Sequence, residues 1–169
     1  IQRQIAFGGN VSYQFNNLHI GLNGIHYNLK YPIVKDQIAY NSFALKGKSF
    51  GNYSLDYSYT YKNIHVFGEL ASTGKKGLAF VNGLFISVSA KVDMSFFYRN
   101  ISREYQSLYT NAFTESTFPT NEKGFFSGIS IRPLQQWQID AYVDLYKFPW
   151  LKFRVDAPST GSDYFIQLT

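Results

Sequence analysis

From Tyr53 to Tyr61 the chain alternates without a break: Tyr53, Leu55, Tyr57, Tyr59 and Tyr61 share one parity, and Ser54, Asp56, Ser58 and Thr60 share the other. Successive strand side chains point to opposite faces, so the segment predicts a strand with one aromatic, apolar face and one face of hydroxyls and a carboxylate. The period of two recurs along the chain. With the turn signals it predicts about nine strands, near 4–15, 18–29, 43–61, 64–72, 78–88, 92–100, 124–132, 137–147 and 162–169. Gly47, Gly51 and Asn52 are candidates for a bend or bulge inside the third, which would shorten it.

Connections between these strands alternate in length. Short ones fall at Asn16-Asn17, Lys62-Asn63, Ser89 to Lys91 and Pro133 to Gln136, and long ones near 30–42, 73–77, 101–123 and 148–161. Short turns on one side and long loops on the other mark an up-and-down antiparallel transmembrane β-barrel, with the turns periplasmic and the loops extracellular. An internal repeat points the same way. Ser12-Tyr13-Gln14-Phe15-Asn16-Asn17-Leu18-His19-Ile20 parallels Ser58-Tyr59-Thr60-Tyr61-Lys62-Asn63-Ile64-His65-Val66, two hairpins of one design whose Asn residues suit a turn and whose aromatics suit a membrane boundary.

Parity also assigns faces. Leu78, Phe80, Leu84, Ile86 and Val88, then Val92, Met94, Phe96 and Tyr98, then Trp137, Ile139, Ala141, Val143 and Leu145, are expected to meet lipid. The opposite parity turns polar groups inward. Asp56, Glu69, Asp93, Arg99, Asp140 and Asp144 are the candidate polar residues of the lumen, and such a population predicts ion pairs inside or a plug of loops. Nine is an odd count where single-chain bacterial barrels are generally even, so a partial barrel of a larger one is the companion expectation, with further strands before Ile1 or after Thr169.

Composition narrows this picture. The chain has 169 residues, enough for a single β-barrel domain over 1–169, and an aromatic fraction of 19%. It contains no apolar run approaching the roughly 18 residues of a transmembrane helix, whereas barrel strands need only about 9–11 alternating ones. With no cysteine, disulfides and thiolate metal sites are unavailable. The first residues carry neither an initiator Met nor an export signal, so a processed chain or fragment is expected. Net charge is +5, but Lys46, Lys48, Lys75, Lys76, Lys147, Lys152 and Arg154 are scattered over loops and strand ends, which suits a solvated rim better than a nucleic-acid surface.

The remaining motifs carry little chemistry. His19 and His65 occupy equivalent repeat positions on the inward face, and with His26 they read as structural imidazoles, since no carboxylate stands at ligand spacing beside either repeat His. Ser12, Ser58 and Ser87 fall near inward His, but no nucleophile elbow surrounds them, and the loop acids Glu104, Glu115 and Asp156 lie far from all three histidines. No phosphate loop, dinucleotide fingerprint or calcium loop is present, and Gly8-Gly9, Gly21 and Gly24 read as points of strand curvature. The expectation is no enzyme, no catalytic or metal residues and no cofactor. Two loops stand out: the aromatic segment 101–123 folds over the mouth or binds a partner, and 148–158 has the same character. Tyr105, Tyr109, Phe113, Trp150, Arg154 and Asp156 are its candidate partner-binding residues.

At these loops the chain resembles a family of Bacteroidetes outer-membrane barrels that carry a helix-hairpin-helix domain in the amino-terminal region. The resemblance rests on Tyr105-Gln106-Ser107-Leu108-Tyr109, Asn111-Ala112-Phe113 with Glu115, Asn121-Glu122-Lys123-Gly124, and Trp150-Leu151 with Arg154-Val155-Asp156-Ala157-Pro158-Ser159. Asp56-Tyr57-Ser58-Tyr59, Asn63-Ile64-His65 and Phe67-Gly68-Glu69 are also similar. It implies the barrel portion of a protein labelled as DNA-uptake-like through a helical domain that this chain does not contain, so nucleic acid is implied only through that domain.

The reading is therefore an outer-membrane barrel with a structural, transport-associated or envelope-accessory role, whose partners are outer-membrane lipid and other envelope or secretion-complex proteins. The alternatives are an outer-membrane enzyme acting on lipid or peptide, and a soluble lipocalin-like ligand-binding barrel. Inward Asp56, Asp93 and Asp140 weigh against the last, although alternation defines two faces without saying which meets lipid.

Overall fold

The computed structural model describes residues 1–74 and 77–169; Lys75 and Lys76, assigned above to a loop, lie outside the described residues. Its strands are β1 (Gln4–Phe15), β2 (Leu18–Ile33), β3 (Gly47–Tyr61), β4 (Ile64–Thr73), β5 (Gly77–Ser89), β6 (Val92–Ile101), β7 (Glu122–Ile131), β8 (Ile139–Phe148) and β9 (Ser159–Leu168), with one 3-10 turn at Ala39–Asn41. Each strand pairs antiparallel with its chain neighbours in one nine-stranded sheet ordered β1 to β9. This is the expected all-β, up-and-down architecture, and the sheet stays open between β1 and β9. Because every strand reverses its predecessor, β1 and β9 run in the same direction.

Connections follow the predicted short and long pattern except at two places: β4–β5, expected to be long, spans only 74–76, and β7–β8, expected to be short, spans 132–138. Asn16 and Lys62, equivalent in the repeat, both take left-handed backbone (φ 48° and 51°). The second hairpin thus turns on Lys62, while Asn63 uses its side-chain amide to donate to the Ser87 carbonyl at 2.7 Å.

Five boundaries differ from the periodicity by two residues or more, among them the start of β9, at Ser159 instead of 162. β2 runs on to Ile33 and β3 starts at Gly47, so Phe43 belongs to a loop. The irregularity lies between Asn28 and Ile33, opposite Gly47 (φ 114°), whereas Gly51 and Asn52 pair regularly with His26 and Ile25. β7 starts at Glu122, two residues early, because pairing to Ile101 extends it. Trp137 precedes β8 and sits in the β7–β8 connection, its amide donating to the Leu134 carbonyl at 3.3 Å.

The two faces differ in what covers them. Val11, Leu22, Leu55, Leu70, Leu145 and Ile166 share one face and are all exposed. The other face holds the buried cluster Ala71, Ala79, Ile101 and Tyr105, the last from the β6–β7 loop, which folds across it. We call these the outer and inner faces. The inner face is more aromatic than its polar parity suggested: Phe67, Phe97, Phe113, Phe126, Tyr142 and Phe165 form a row with successive ring centroids 5.2–6.4 Å apart.

Glycines make room for this packing. A β-carbon at Gly83 would meet the Phe67 ring, one at Gly161 the Tyr146 ring, and one at Gly77 the backbone of Glu104 and Tyr105. The last is the least forgiving, because a loop backbone cannot rotate aside as a ring can. Gly77→Ala is expected to destabilise the fold by roughly 1–3 kcal/mol through overpacking. Gly9→Ala, where no atom lies within 4 Å, should change stability by less than about 0.5 kcal/mol. Urea unfolding of the two variants in lipid vesicles checks the contrast.

Candidate functional site

The most buried polar structure lies on the inner face under the β6–β7 loop. Arg99 of β6 is fully buried; its Nε donates to Glu122 Oε1 at 2.6 Å, and its Nη1 and Nη2 donate to Asp144 Oδ1 and Oδ2 at 2.9 and 3.0 Å. Register brings them together. Arg99 sits opposite Gly124, and its guanidinium fills the space a β-carbon there would take, which lets it reach across β7 to Asp144 of β8. Buried charges are tolerated only when paired and saturated with hydrogen bonds. The bidentate fork supplies this for Asp144, and Glu122 also accepts the amides of Glu115 and Ser116 at 3.0 and 3.2 Å. Phe113 covers the guanidinium at 5.5 Å. The loop is thereby bound to a charge buried in the sheet.

A second junction ties three loops together. The Arg103 guanidinium lies 4.5 Å from the Phe43 ring and 4.7 Å from the Trp150 ring, and the two rings meet edge to face at 5.4 Å. Phe43 comes from the β2–β3 loop, Arg103 from β6–β7 and Trp150 from β8–β9. Trp150 Nε1 donates to the Ala39 carbonyl at 3.3 Å. Asn121, left-handed at φ 56°, donates its side-chain amide to the Trp150 carbonyl at 2.9 Å and accepts the Trp150 amide at 2.8 Å, imitating a strand pair. A flat sheet would hold β2–β3 and β8–β9 about 29 Å apart, six spacings of roughly 4.8 Å. These contacts therefore require strong curvature. On the far side Tyr109 donates to Gln4 Oε1 at 2.8 Å and packs edge-on against Tyr27.

Loop ionisation follows this packing. The hydrogen bond from Arg103 holds the Glu104 carboxyl below its ordinary value, and burial pushes the Tyr105 phenol up. Glu115 is held above its ordinary value, first by loss of water and then by the negative charges of Asp163 and Asp144.

The candidate partner-binding residues separate into two groups. Tyr105 is 4% exposed, so no partner reaches it; the expectation is corrected by its packing against Ala71, Ala79 and Ile101. Phe113 packs edge-on against Phe97 and Phe126 and lies over Arg99 while half of it stays exposed, and Trp150 holds loops together. Tyr109, Arg154 and Asp156 are exposed, with Arg154 (φ 64°) lying over Phe153. Arg103 was not singled out from sequence, and Asn121 and Glu122 entered only through the motif Asn121-Glu122-Lys123-Gly124, with no role assigned. Glu122 shares parity with Gly124 and Phe126, a signal hidden by its place at the end of a long loop.

All six lumen candidates share the inner face, but only Arg99 and Asp144 join each other. Asp93 accepts from Arg132 Nη1 at 2.8 Å and Asp140 from Gln138 Nε2 at 2.8 and 3.0 Å. Glu69 lines a hollow of about 290 Å³ beneath Tyr105 and Tyr109. Asp56 lies 3.2 Å from His19 Nε2 and accepts from Asn23 at 2.7 Å. A carboxylate does therefore stand beside His19, brought there by β2–β3 pairing and by Gly21, whose missing side chain leaves space for Asp56. His65 bonds Thr60 at 2.8 Å and stacks on Phe67; His26 faces outward, bonding Ser49 at 2.8 Å. Nearer the short turns, Phe126, Tyr142, Phe165, Asp93 and Asp140 line an open hollow of about 480 Å³. Among the described residues no three potential metal-ligating side chains gather.

No family model and no curated protein matches the chain. Among solved structures it is similar to OmpT (in-vitro folded), an outer membrane protein of Vibrio cholerae, at 10% identity and a TM-score of 0.42, over 97% of this chain and 56% of that one. The chain thus spans a little over half the length of that protein.

Arg99→Met strands two buried carboxylates and is expected to cost roughly 3–5 kcal/mol by urea unfolding, with protease cleavage appearing within 102–121. Arg99→Lys should recover only part, because an ammonium lacks the planar fork. For Glu115, a folded-state value raised above 4.5 means its contribution is present in full at lower pH and lost as pH rises through the raised value. Amide exchange of the loop, corrected for intrinsic rates, should therefore quicken just above pH 4.5, the ordinary value. Glu115→Gln should abolish that step; the same step in the variant would rule out this origin. Glu104 has the opposite sign, stabilising above 4.5 and ceasing to do so as pH falls through its lowered value.

Proposed function

We propose that the chain is the membrane-embedded wall of an outer-membrane β-barrel whose loop-side mouth is capped by its own loops, serving a structural or envelope-assembly role. The observation that carries this is the outer face: rows of large apolar side chains stand exposed from β1 to β9 while strand carboxylates turn inward. Water is a poor solvent for such a face and hydrocarbon a good one. Aromatics border it at the turn side, where Tyr13, Phe15, Tyr59 and Tyr61 are exposed. Tyr53 and Tyr61 lie on this face about 26 Å apart along β3, at roughly 3.3 Å per residue. That spacing suits an apolar band about 25 Å tall.

The free edges support a partial barrel. Since β1 and β9 run the same way, antiparallel closure takes an odd number of further strands, whatever polypeptide supplies them. A capped mouth supports an anchoring or accessory role, with Tyr109, Phe118 and Phe153 left exposed toward a partner. A role in DNA uptake, and the Bacteroidetes family itself, rest on the sequence resemblance alone. A second reading, a soluble barrel for an apolar ligand, is favoured by the inner aromatic row along the 480 Å³ hollow. It leaves the exposed outer face without a solvent.

The full-length protein, extracted in detergent, is expected to migrate faster on an unheated gel than after boiling and to sediment with outer membranes. Recovery in a soluble fraction with no heat shift would instead favour the ligand-binding barrel.

A further inference from the structure

Charge is segregated by face. Along the paired strands, carboxylates fall on the inner face, whereas the outer face carries cations only where it meets the long loops. Lys123 of β7 and Lys147 of β8 are direct cross-strand partners. Both belong to the outer parity, with Phe125 and Leu145 as the next exposed apolar pair. Extending the β1–β2 register by one residue sets Arg3 against Lys30, whose amide donates to the Arg3 carbonyl at 2.8 Å. This second outward pair stands at the same loop-side end. Among the described residues no ion pair includes any of these four. Like charges directly opposite on one face destabilise a sheet unless something neutralises them.

From this arrangement we propose that Lys123 and Lys147 form a binding site for the phosphate groups of lipid headgroups in the loop-side leaflet, with Arg3 and Lys30 forming a second. The proposal rests on the membrane-barrel reading. A phosphate between two ammonium groups accepts hydrogen bonds from both and removes their repulsion, while the acyl chains continue down the apolar row beneath. The source is the membrane because the cations crown the outer face, where a soluble anion would have no apolar neighbour to favour it. The polar neighbours Asn100 and Thr160, opposite Lys123 and Lys147 on β6 and β9, widen the site for a headgroup.

The test uses the full-length protein in nanodiscs of phosphatidylcholine with and without diphosphoryl lipid A, scoring lipid retained after detergent washing by native mass spectrometry. The wild type should retain lipid A over phosphatidylcholine. With the second site removed from every protein compared by R3Q/K30Q, K123Q/K147Q should lose affinity roughly thirtyfold, at about 1 kcal/mol per cation, while Lys62→Gln at the turn side should not. Heat-modifiable migration of each variant separates the outcomes. A folded K123Q/K147Q variant that retains lipid A like its R3Q/K30Q parent overturns this site alone; a wild type that shows no heat shift overturns it together with the barrel reading.

Discussion

The guanidinium of Arg99 is the constraint on which the loop side depends. A charge with no exposure to water must be neutralised within reach of its own fork, and β7 and β8 supply the two carboxylates that do so. One cation facing two carboxylates leaves an excess of negative charge, and Glu122 resolves it by accepting two loop amides. The plug loop is thus ordered by an electrostatic need of the sheet. Gly124 is what allows it, since a side chain there would occupy the space of the guanidinium.

Around that anchor the loops satisfy one another. Arg103 lies between rings of two other loops, and Asn121 presents a side-chain amide where a strand would present backbone. Contacts of this kind join segments more than a hundred residues apart, as between Trp150 and Ala39, and they bend the sheet toward a barrel wall. The curvature leaves hollows beneath the cap and near the turns, both bordered by polar and aromatic groups. An inner wall so furnished combines fixed ion pairs with tilted and edge-to-face rings, which fill space without demanding water.

The outer face obeys the opposite rule. Among the described residues nothing of the chain folds over it, its rows are apolar, and the charges of its strands are cations at the loop-side border. Hydrocarbon with phosphate above it is the environment that satisfies both features, which is why the membrane reading and the lipid-site proposal follow from a single face.

Strand positions, most of the alternation of turns and loops, and the sorting of residues into two faces were legible in the sequence, because a period of two is a local consequence of backbone geometry. The repeat around Asn16 and Lys62 was legible for the same reason. The length of β3 was misjudged, since Phe43 continues the alternation yet belongs to a loop contact that no local pattern encodes. Glu122 was missed because its strand begins at the end of a long loop, where parity has no run behind it. Tyr105 looked available to a partner, and only the passage of its loop over Gly77, Ala79 and Ile101 buried it. Sequence by itself determined the alternating wall. Which charges meet, which aromatics are hidden and how the mouth is capped were decided by register and curvature, which bring distant residues within hydrogen-bonding range.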